Sequence, residues 1–349
     1  MAPIRLGIIG LSSRPGSWAA VAHVPYLLSP HGRARYEIVA LCNSSVESAR
    51  SAIKSFGLSP ETRAYGDPSD LARDTSIELV ICSTRVDRHY DTIKPSISAG
   101  KAVFVEWPLA SSVSQARDLA TLATNGNIGK VLGSNVKAWG GLGNSDTIPE
   151  SLRYFTQLSV GGNAITIGFG HLWEFLLTTL GDVSEIQSTV KLRWPRIRLV
   201  SQTGTIGETV DSDVPDLVSV TALLEPSLYV QDGAPIHVTF QRNQPFHGEP
   251  RLKWTILGET GELTFIAEGT TPRTMASEPI TIMLRDFSTG KTKEIPWAWE
   301  AWQQTLPVAA RGVAGLYEAY AQGDPTAYRN FEYGLKRHEQ LADILSCYP

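Results

Sequence analysis

Residues 4–23, IRLGIIGLSSRPGSWAAVAH, decide how the rest of the chain is read. IRLGIIG is a short apolar run closed by Gly10, and from Trp18 to about Leu28 the spacing is that of a helix. A strand, a glycine turn and a helix at the head of a βαβ series make a site for a dinucleotide's phosphates. Glycine lets the backbone come close, and the N–H groups of the helix start face the anion. Gly7, Gly10 and Gly16 are the glycines available, and five residues separate Gly10 from Gly16. That gap is longer than in GxGxxG, so the setting carries the reading more than the motif does. Ser12, Ser13 and Arg14 add donors for phosphate oxygens.

The same beat continues. YEIVALC (36–42) reads as a strand, VESARSAIKSFG (46–57) as a helix, Arg63–Tyr65 as a short strand, and a helix starts at Asp67. IELVICS (77–83) and AVFVEW (102–107) are further strands, with a helix from about Tyr90 to Ala99 between them. Continuous apolar strands alternating with helices indicate a parallel sheet covered on both faces, with right-handed crossovers. From about Lys130 the rhythm changes. KVLGSNVKAW (130–139) reads as the edge of a new sheet, and HLWEFLLTTLG (171–181) as an amphipathic helix stopped by Gly181. VSEIQSTVKLRW (183–194), LVSVTALL (217–224), IHVTFQR (236–242), RLKWTILG (251–258) and GELTFIA (261–267) then follow without a helix-length pattern, which predicts a mostly antiparallel sheet. Two helices, about 302–320 and 330–346, close the chain.

The fold class expected is therefore α/β: a dinucleotide-binding domain over 1–125, then a second α/β domain over 126–349 with a mostly antiparallel open sheet. The last helix could pack back on the first domain. A chain of 349 residues exceeds the span of one core, in keeping with two domains. The 42% apolar and 19% charged content is that of an ordinary globular protein. A net charge of −4 gives no basis for a nucleic-acid or anionic-membrane partner. No apolar stretch approaches the roughly 20 residues that span a bilayer, and the start, MAPIRLGIIGLSS, is too short in its apolar run for a signal peptide. Cys42, Cys82 and Cys347 are odd in number and far apart, and Cys42 and Cys82 each end an apolar run, which suits buried thiols in a reducing, cytoplasmic setting. No CxxC, HExxH or acidic loop points to a metal.

The second strand ends at Cys42-Asn43-Ser44-Ser45. NAD sites usually place an acidic residue here for the ribose diol. Asn43 and Ser44 carry no such charge and would not repel a 2′-phosphate, which Arg50 or Arg14 could reach. NADP(H) is thus favoured and NAD(H) possible; Asn43 can equally be a plain turn residue.

With those residues in view, the chain resembles the glucose–fructose oxidoreductase / inositol dehydrogenase / MocA family, on the fungal branch that includes the yeast galactose-regulon repressor. The segments that carry the resemblance are IRLGIIGL…GSWAAVAHVPYL, CSTRVDRHYDTIKPSISAGKAVFVEWPLA (82–110), GGNAITIGFGHLWEFLLTTLG (161–181) and TILGETGEL (255–263). It implies a Rossmann domain, a second domain whose open sheet forms a homodimer, and oxidoreduction of a small molecule with a nicotinamide cofactor. The family's E-K-P triplet is here Glu106-Trp107-Pro108, so the lysine that touches substrate and nicotinamide is missing. In the family's second motif Ile167 takes the aspartate's place, His171 the histidine's, and Glu174 that of a further acid. Gly126-Asn127-Ile128-Gly129 follows at once on the helix expected at 111–124, so a sixth strand and a helix of the first domain are expected to be absent.

The residues expected to act follow from this. His171 is the proton partner, with Glu174 beside it; a histidine merely capping its helix is the alternative. Standing before a helix, its imidazole would be favoured neutral. Lys137, Tyr154 or Tyr90 could replace the missing lysine as donor. Trp18, Thr84, Arg85, His89, Glu106 and Trp107 are expected to frame the cofactor, Glu106 at the carboxyl end of its strand. Two other readings stay open: a non-catalytic dinucleotide-binding regulator acting through a protein partner, and a redox-neutral lyase or isomerase.

Overall fold

The computed structural model describes residues 2–14, 16–85, 88–106, 128–140, 146–269, 279–324 and 328–348. The chain divides into two units, Met1–Leu109 with Trp299–Tyr328, and Ala110–Ala298 with Arg329–Pro349. The boundary expected at 125/126, the helix expected at 111–124 and Trp107 lie outside the described residues.

The first unit is the parallel sheet. Strands β1 (Ile4–Ile9), β2 (Tyr36–Cys42), β3 (Arg63–Tyr65), β4 (Leu79–Cys82) and β5 (Ala102–Val105) lie in the order β3-β2-β1-β4-β5, and every pairing is parallel. Leu6, Ile8, Leu41, Val80 and Ile81 are fully buried, as strands covered on both faces require. Helices α1 (Val24–Leu27), α2 (Pro30–Arg33), α3 (Val46–Ser55), α4 (Pro68–Arg73) and α5 (His89–Ser98) connect the strands. Ser29, Ser45 and Asp67 cap α2, α3 and α4 through their side-chain oxygens. Two further helices, α7 (Ala301–Gln304) and α8 (Val308–Gln322), complete this unit. Ala310, Val313, Ala314 and Tyr317 of α8 enter the same core as Leu6, Ile8 and Tyr26.

The second unit is built on an eight-stranded sheet. β6 (Val131–Gly140), β8 (Val183–Lys191), β11 (Leu217–Leu224), β12 (Pro235–Arg242), β13 (Leu252–Gly258), β14 (Gly261–Ala267), β15 (Ile280–Asp286) and β16 (Thr292–Glu294) run in the order β16-β15-β14-β13-β6-β12-β11-β8. β6, expected at an edge, is central: β12 pairs with it in parallel and β13 antiparallel. Both neighbours arrive about a hundred residues later in the sequence, so local alternation could not place it. All other neighbours in this sheet pair antiparallel. A small sheet of β7 (Thr147–Pro149), β9 (Arg196–Val200) and β10 (Ile206–Asp211), in the order β10-β9-β7, falls in segments where the sequence pattern predicts no strand.

Each long strand alternates. Val136, Val238, Trp254 and Phe265 are buried beneath α6 (Gly170–Leu180), whose Phe175 meets Trp254 and Phe265 edge-on. Asn135, Lys137, His237, Thr239, Lys253 and Thr255 alternate with them and so point to the opposite, open face. Phe240 fills a gap that only glycine leaves: a Cβ on Gly140 would stand 2.2 Å from its ring. The last helix, α9 (Phe331–Leu345), belongs to this unit and packs on β8 and α6. The penultimate helix, α8, is grouped with the first unit. α9 is instead tied down by its own charges, described below.

Candidate functional site

At the carboxyl end of β1 the chain turns through Gly10, at φ 94°. A Cβ there would lie 2.3 Å from the carbonyl oxygen of Ser83, so β1 and β4 come together at this point only because the residue is glycine. The loop is then closed by its own serines. The Ser12 hydroxyl accepts from the Arg14 N–H at 3.2 Å, and the Ser17 hydroxyl donates to the Ser12 carbonyl at 2.7 Å. Gly16 takes φ 76° with open space around it, and Ser13 and Arg14 are exposed beside it. Trp18, half-buried, starts the helix. A loop with positive-φ glycines, free room and exposed donors fits a pyrophosphate.

The neighbouring strand ends fit less uniformly. The Asn43 amide donates to the carbonyls of Leu11 at 2.9 Å and Ser48 at 3.3 Å, so it fastens the β1 loop to α3. Ser44 and Arg50 are exposed. Thr84 is half-buried, with its hydroxyl 3.4 Å from the Cys82 thiol, whose pKa is raised by burial. Arg85 is exposed. His89 opens α5 and lies 2.9 Å from the Thr84 carbonyl through Nε2. That contact anchors the turn after β4.

Glu106, which follows β5, is held in a way the sequence did not reveal. Its Oε1 is hydrogen-bonded to Nε2 of His23, and Nδ1 of His23 lies 2.6 Å from the Tyr317 hydroxyl. His23 is fully buried, at the last position of a π-helical turn, Ala19–His23, that runs into α1. Such turns are uncommon and frequent at functional sites. Phe104 meets its ring edge-on, and Tyr317 stacks on Tyr26 with centroids 5.4 Å apart. Burial, and then the Glu106 charge, push the Tyr317 hydroxyl well above the usual tyrosine range. Nothing local signals this group, because His23 and Tyr317 are 294 positions apart.

In the second unit His171 also stands at a junction of π- and α-helix. The π-helical stretch Ala164–Phe169 runs directly into α6. Asn163 starts it, its side chain accepting from Ile165 N–H at 2.9 Å and Thr166 N–H at 3.0 Å. The expectation that His171 precedes a helix is thus corrected: the helical segment begins at Ala164, its first N–H groups are met by Asn163, and the dipole argument for His171 lapses. Ala164, Ile167, His171 and Thr178 are the half-buried positions of one stripe along a segment that otherwise faces the sheet. Glu174 lies on that stripe too, yet is only 3% exposed. Its Oε2 receives Nε of Arg337 at 3.0 Å and its Oε1 the Thr178 hydroxyl at 2.7 Å. Arg337, on α9, also reaches Asp182 at 2.5 Å, Gln340 at 2.7 Å and the Tyr333 hydroxyl at 2.9 Å. α9 therefore covers the Glu174 end of the stripe and leaves the His171 end half-open. Glu174, expected beside His171 in the chemistry, has its carboxylate spent on this clamp.

Lys137 is not brought to His171 either. β6 pairs Val136 with Trp254 beneath α6, so Lys137 projects from the other face, 3.6 Å from Glu249 and 4.5 Å from the Trp139 ring centre. Tyr154 sits half-buried in the 3₁₀ turn Glu150–Thr156 beside the small sheet, its ring edge-on to Phe155. Tyr90 is 68% exposed on α5 of the first unit. Among the described residues, no group of three or more His, Cys, Asp or Glu could hold a metal ion. No helix among them is long and apolar enough to cross a membrane.

Comparison with known proteins agrees with these two units. Residues 4–129 match the oxidoreductase family with NAD-binding Rossmann fold, and residues 114–267 the C-terminal domain of Gal80p. The chain is 26% identical to dehydrogenase aclE of Aspergillus oryzae, over 98% of this chain and 95% of that protein. It is 25% identical to the galactose/lactose metabolism regulatory protein GAL80 of Saccharomyces cerevisiae, over 70% of this chain and 62% of that one. Among solved structures, a super-repressor mutant of S. cerevisiae Gal80p superposes with a TM-score of 0.77 at 20% identity, covering 92% of this chain and 86% of that one. Levoglucosan dehydrogenase in complex with NADH and L-sorbose gives 0.61 at 18% identity, covering 92% and 90%. A Rossmann unit followed by a mostly antiparallel second unit is what these matches describe: the chain is similar to the oxidoreductase family with an NAD-binding Rossmann fold over residues 4–129 and to the C-terminal domain of Gal80p over residues 114–267.

Proposed function

We propose that the protein is an NAD(P)-dependent oxidoreductase that reduces a carbonyl or an activated double bond of a small organic molecule. The observation that carries this reading is the turn after β1, where Gly10 and Gly16 hold positive φ beside exposed Ser13 and Arg14. The residue resemblance and the likeness to a dehydrogenase over 98% of the chain support it. A bound reduced nicotinamide supplies the hydride. The loop from Gly10 to Trp18 would bind the pyrophosphate, with Thr84, Arg85 and Glu106 at the adjoining strand ends. His171 is the residue we assign to give a proton to the substrate atom on which negative charge develops. Trp107 offers no such proton, so the loss of the family's lysine leaves His171 as the donor. Glu174, Lys137 and Tyr154 are not assigned chemistry: the first is clamped by Arg337, the second is on the open sheet face, and nothing about the third singles it out.

For the cofactor we favour NADPH, since neutral Asn43 and exposed Ser44 stand where an acidic residue would repel a 2′-phosphate. Glu47, exposed in the first turn of α3, works against this, so the preference should be modest. The polar open face of the large sheet supports a homodimer formed through it, and free thiols at Cys42, Cys82 and Cys347 suit a cytoplasmic location. A second reading, a dinucleotide-binding regulator that acts through a protein partner, is favoured by the likeness to GAL80 and by Ile167 and Trp107 in the places of the family's aspartate and lysine.

The test is purified protein with NADPH or NADH and a panel of carbonyl and enone substrates, followed by loss of reduced-cofactor absorbance, beside His171→Ala. Turnover that falls at least a hundredfold in the variant is the expected result. Tight dinucleotide binding with no turnover across the panel would favour the regulator, and undiminished turnover in the variant would remove His171 from the mechanism.

A further inference from the structure

His23 and Tyr317 have no part in that reading, yet they form a buried polar group next to the expected cofactor site. Both side chains are almost or wholly out of contact with water, at 0% and 2% exposure, while Glu106 remains partly open at 16%. A buried imidazole needs partners for both nitrogens. One arrangement satisfies all three side chains. The Tyr317 hydroxyl, which keeps its proton, donates to Nδ1, and Nε2–H donates to Oε1 of Glu106. If both ring nitrogens carried protons, the Tyr317 hydroxyl would accept from Nδ1 and its own hydrogen would point at no acceptor among its described partners, which is unfavourable in a buried site.

The chain therefore runs from α8, through the π-turn after the phosphate loop, to the carboxyl end of β5. It fixes one oxygen of Glu106; among the described residues the other is given no hydrogen-bond partner, which leaves it for a ligand. We propose that His23 and Tyr317 are positioning residues that hold Glu106 as a carboxylate acceptor for the nicotinamide end of the cofactor. This rests on the dinucleotide reading above and adds which residues orient that end. Glu106 fits a carboxamide N–H₂ group, which donates two hydrogens and needs a fixed acceptor. The phosphate loop, by contrast, would hold the pyrophosphate, which ADP-ribose carries as well.

The experiment measures binding, so it does not depend on finding the substrate. Dissociation constants are obtained by titration calorimetry for NADPH and NADH, and for ADP-ribose and its 2′-phosphate, which lack nicotinamide. His23→Ala should weaken the nicotinamide dinucleotides about tenfold or more, the scale of a lost hydrogen bond to a charged group, and leave the ADP-ribose ligands within about twofold. His23→Gln, whose amide nitrogen can stand where Nε2 does, should recover to within about threefold of wild type. Tyr317→Phe, which keeps the packing, should fall between the two. In a Glu106→Ala background, His23→Ala should cause no further loss, because it acts through the absent carboxylate.

Equal weakening of ADP-ribose and dinucleotide, or a glutamine variant as weak as the alanine one, overturns the proposal. So do losses that add independently of Glu106. Variants that melt earlier but bind as wild type show that the group only packs the core, which overturns it as well. Wild-type protein that binds none of the four ligands removes the dinucleotide reading itself, and this inference with it.

Discussion

Replacing Arg337 by methionine should make the second unit progressively less stable, relative to wild type, as pH rises. Glu174 and Arg337 are 3% and 2% exposed and 3.0 Å apart. Burial already raises the Glu174 pKa above its ordinary value, while Thr178 and Arg337 act against that rise. Without Arg337 the folded pKa climbs further. Between the unfolded value, about 4.5, and that raised value, the native state keeps a proton that the unfolded chain has released. Stability is then present at low pH and is lost as pH rises through the window, at about 1.4 kcal/mol for each pH unit that the window spans. Asp182, whose carboxyl Arg337 helps to hold low, titrates below 3.8 and so adds a loss that is constant from pH 5 to 8. His338, depressed by burial, pulls the other way but is common to both proteins and cancels in the difference.

At pH 8 the variant should be destabilised by about 3–5 kcal/mol, the cost of stranding one member of a buried pair. At pH 5 the loss should shrink to about 1–3 kcal/mol, the scale of the hydrogen bonds that Arg337 gave up. The assay is urea unfolding from pH 5 to 8, followed by tryptophan fluorescence. Trp173 donates to Gln340 at 3.1 Å inside the same cluster and reports on it directly. A destabilisation that is flat with pH, or that grows towards pH 5, would refute the account of Glu174 as a clamped group.

Three further outcomes follow from the geometry. Glu174→Gln and Lys137→Ala should leave kcat within about threefold at a temperature where both are folded, whereas a general acid would lose about a hundredfold or more. Gly10→Ala should cost about 2–5 kcal/mol, combining left-handed backbone strain with the Cβ at 2.3 Å from the Ser83 oxygen, and should abolish dinucleotide binding; a variant that melts and binds as wild type would contradict the turn. In native protein a disulfide reagent at pH 8 should label Cys347 quickly and Cys42 hardly at all, since burial pushes the Cys42 thiol up to about 12, while in urea all three should react.

Sequence pattern reaches furthest where one stretch of chain carries its own instruction. IRLGIIG announces a strand with both faces covered, and β1 is that strand. The alternation in RLKWTILG and GELTFIA is present residue by residue in β13 and β14. Cys42 and Cys82, at the ends of apolar runs, are buried thiols. The small sheet of β7, β9 and β10 escapes the pattern because its strands are short and, in ETVD and RIRLV, mix charge with apolar residues. The place of β6 is not legible locally, because a strand's own residues state which face is buried, not which strands flank it.

The site divides in the same way. The strand-turn-helix pattern marks Gly10 for its backbone freedom, and the family resemblance adds Glu106 and His171 as expectations. What each is committed to comes only from tertiary structure. Glu174 and Arg337 are 163 positions apart, and Glu106 meets Tyr317 only through His23 and a helix near the end of the chain. Local sequence sets the period of a strand or helix because neighbouring residues share one backbone. Whether a carboxylate is free to react depends on which distant donor fills its oxygens, and only the folded chain settles that.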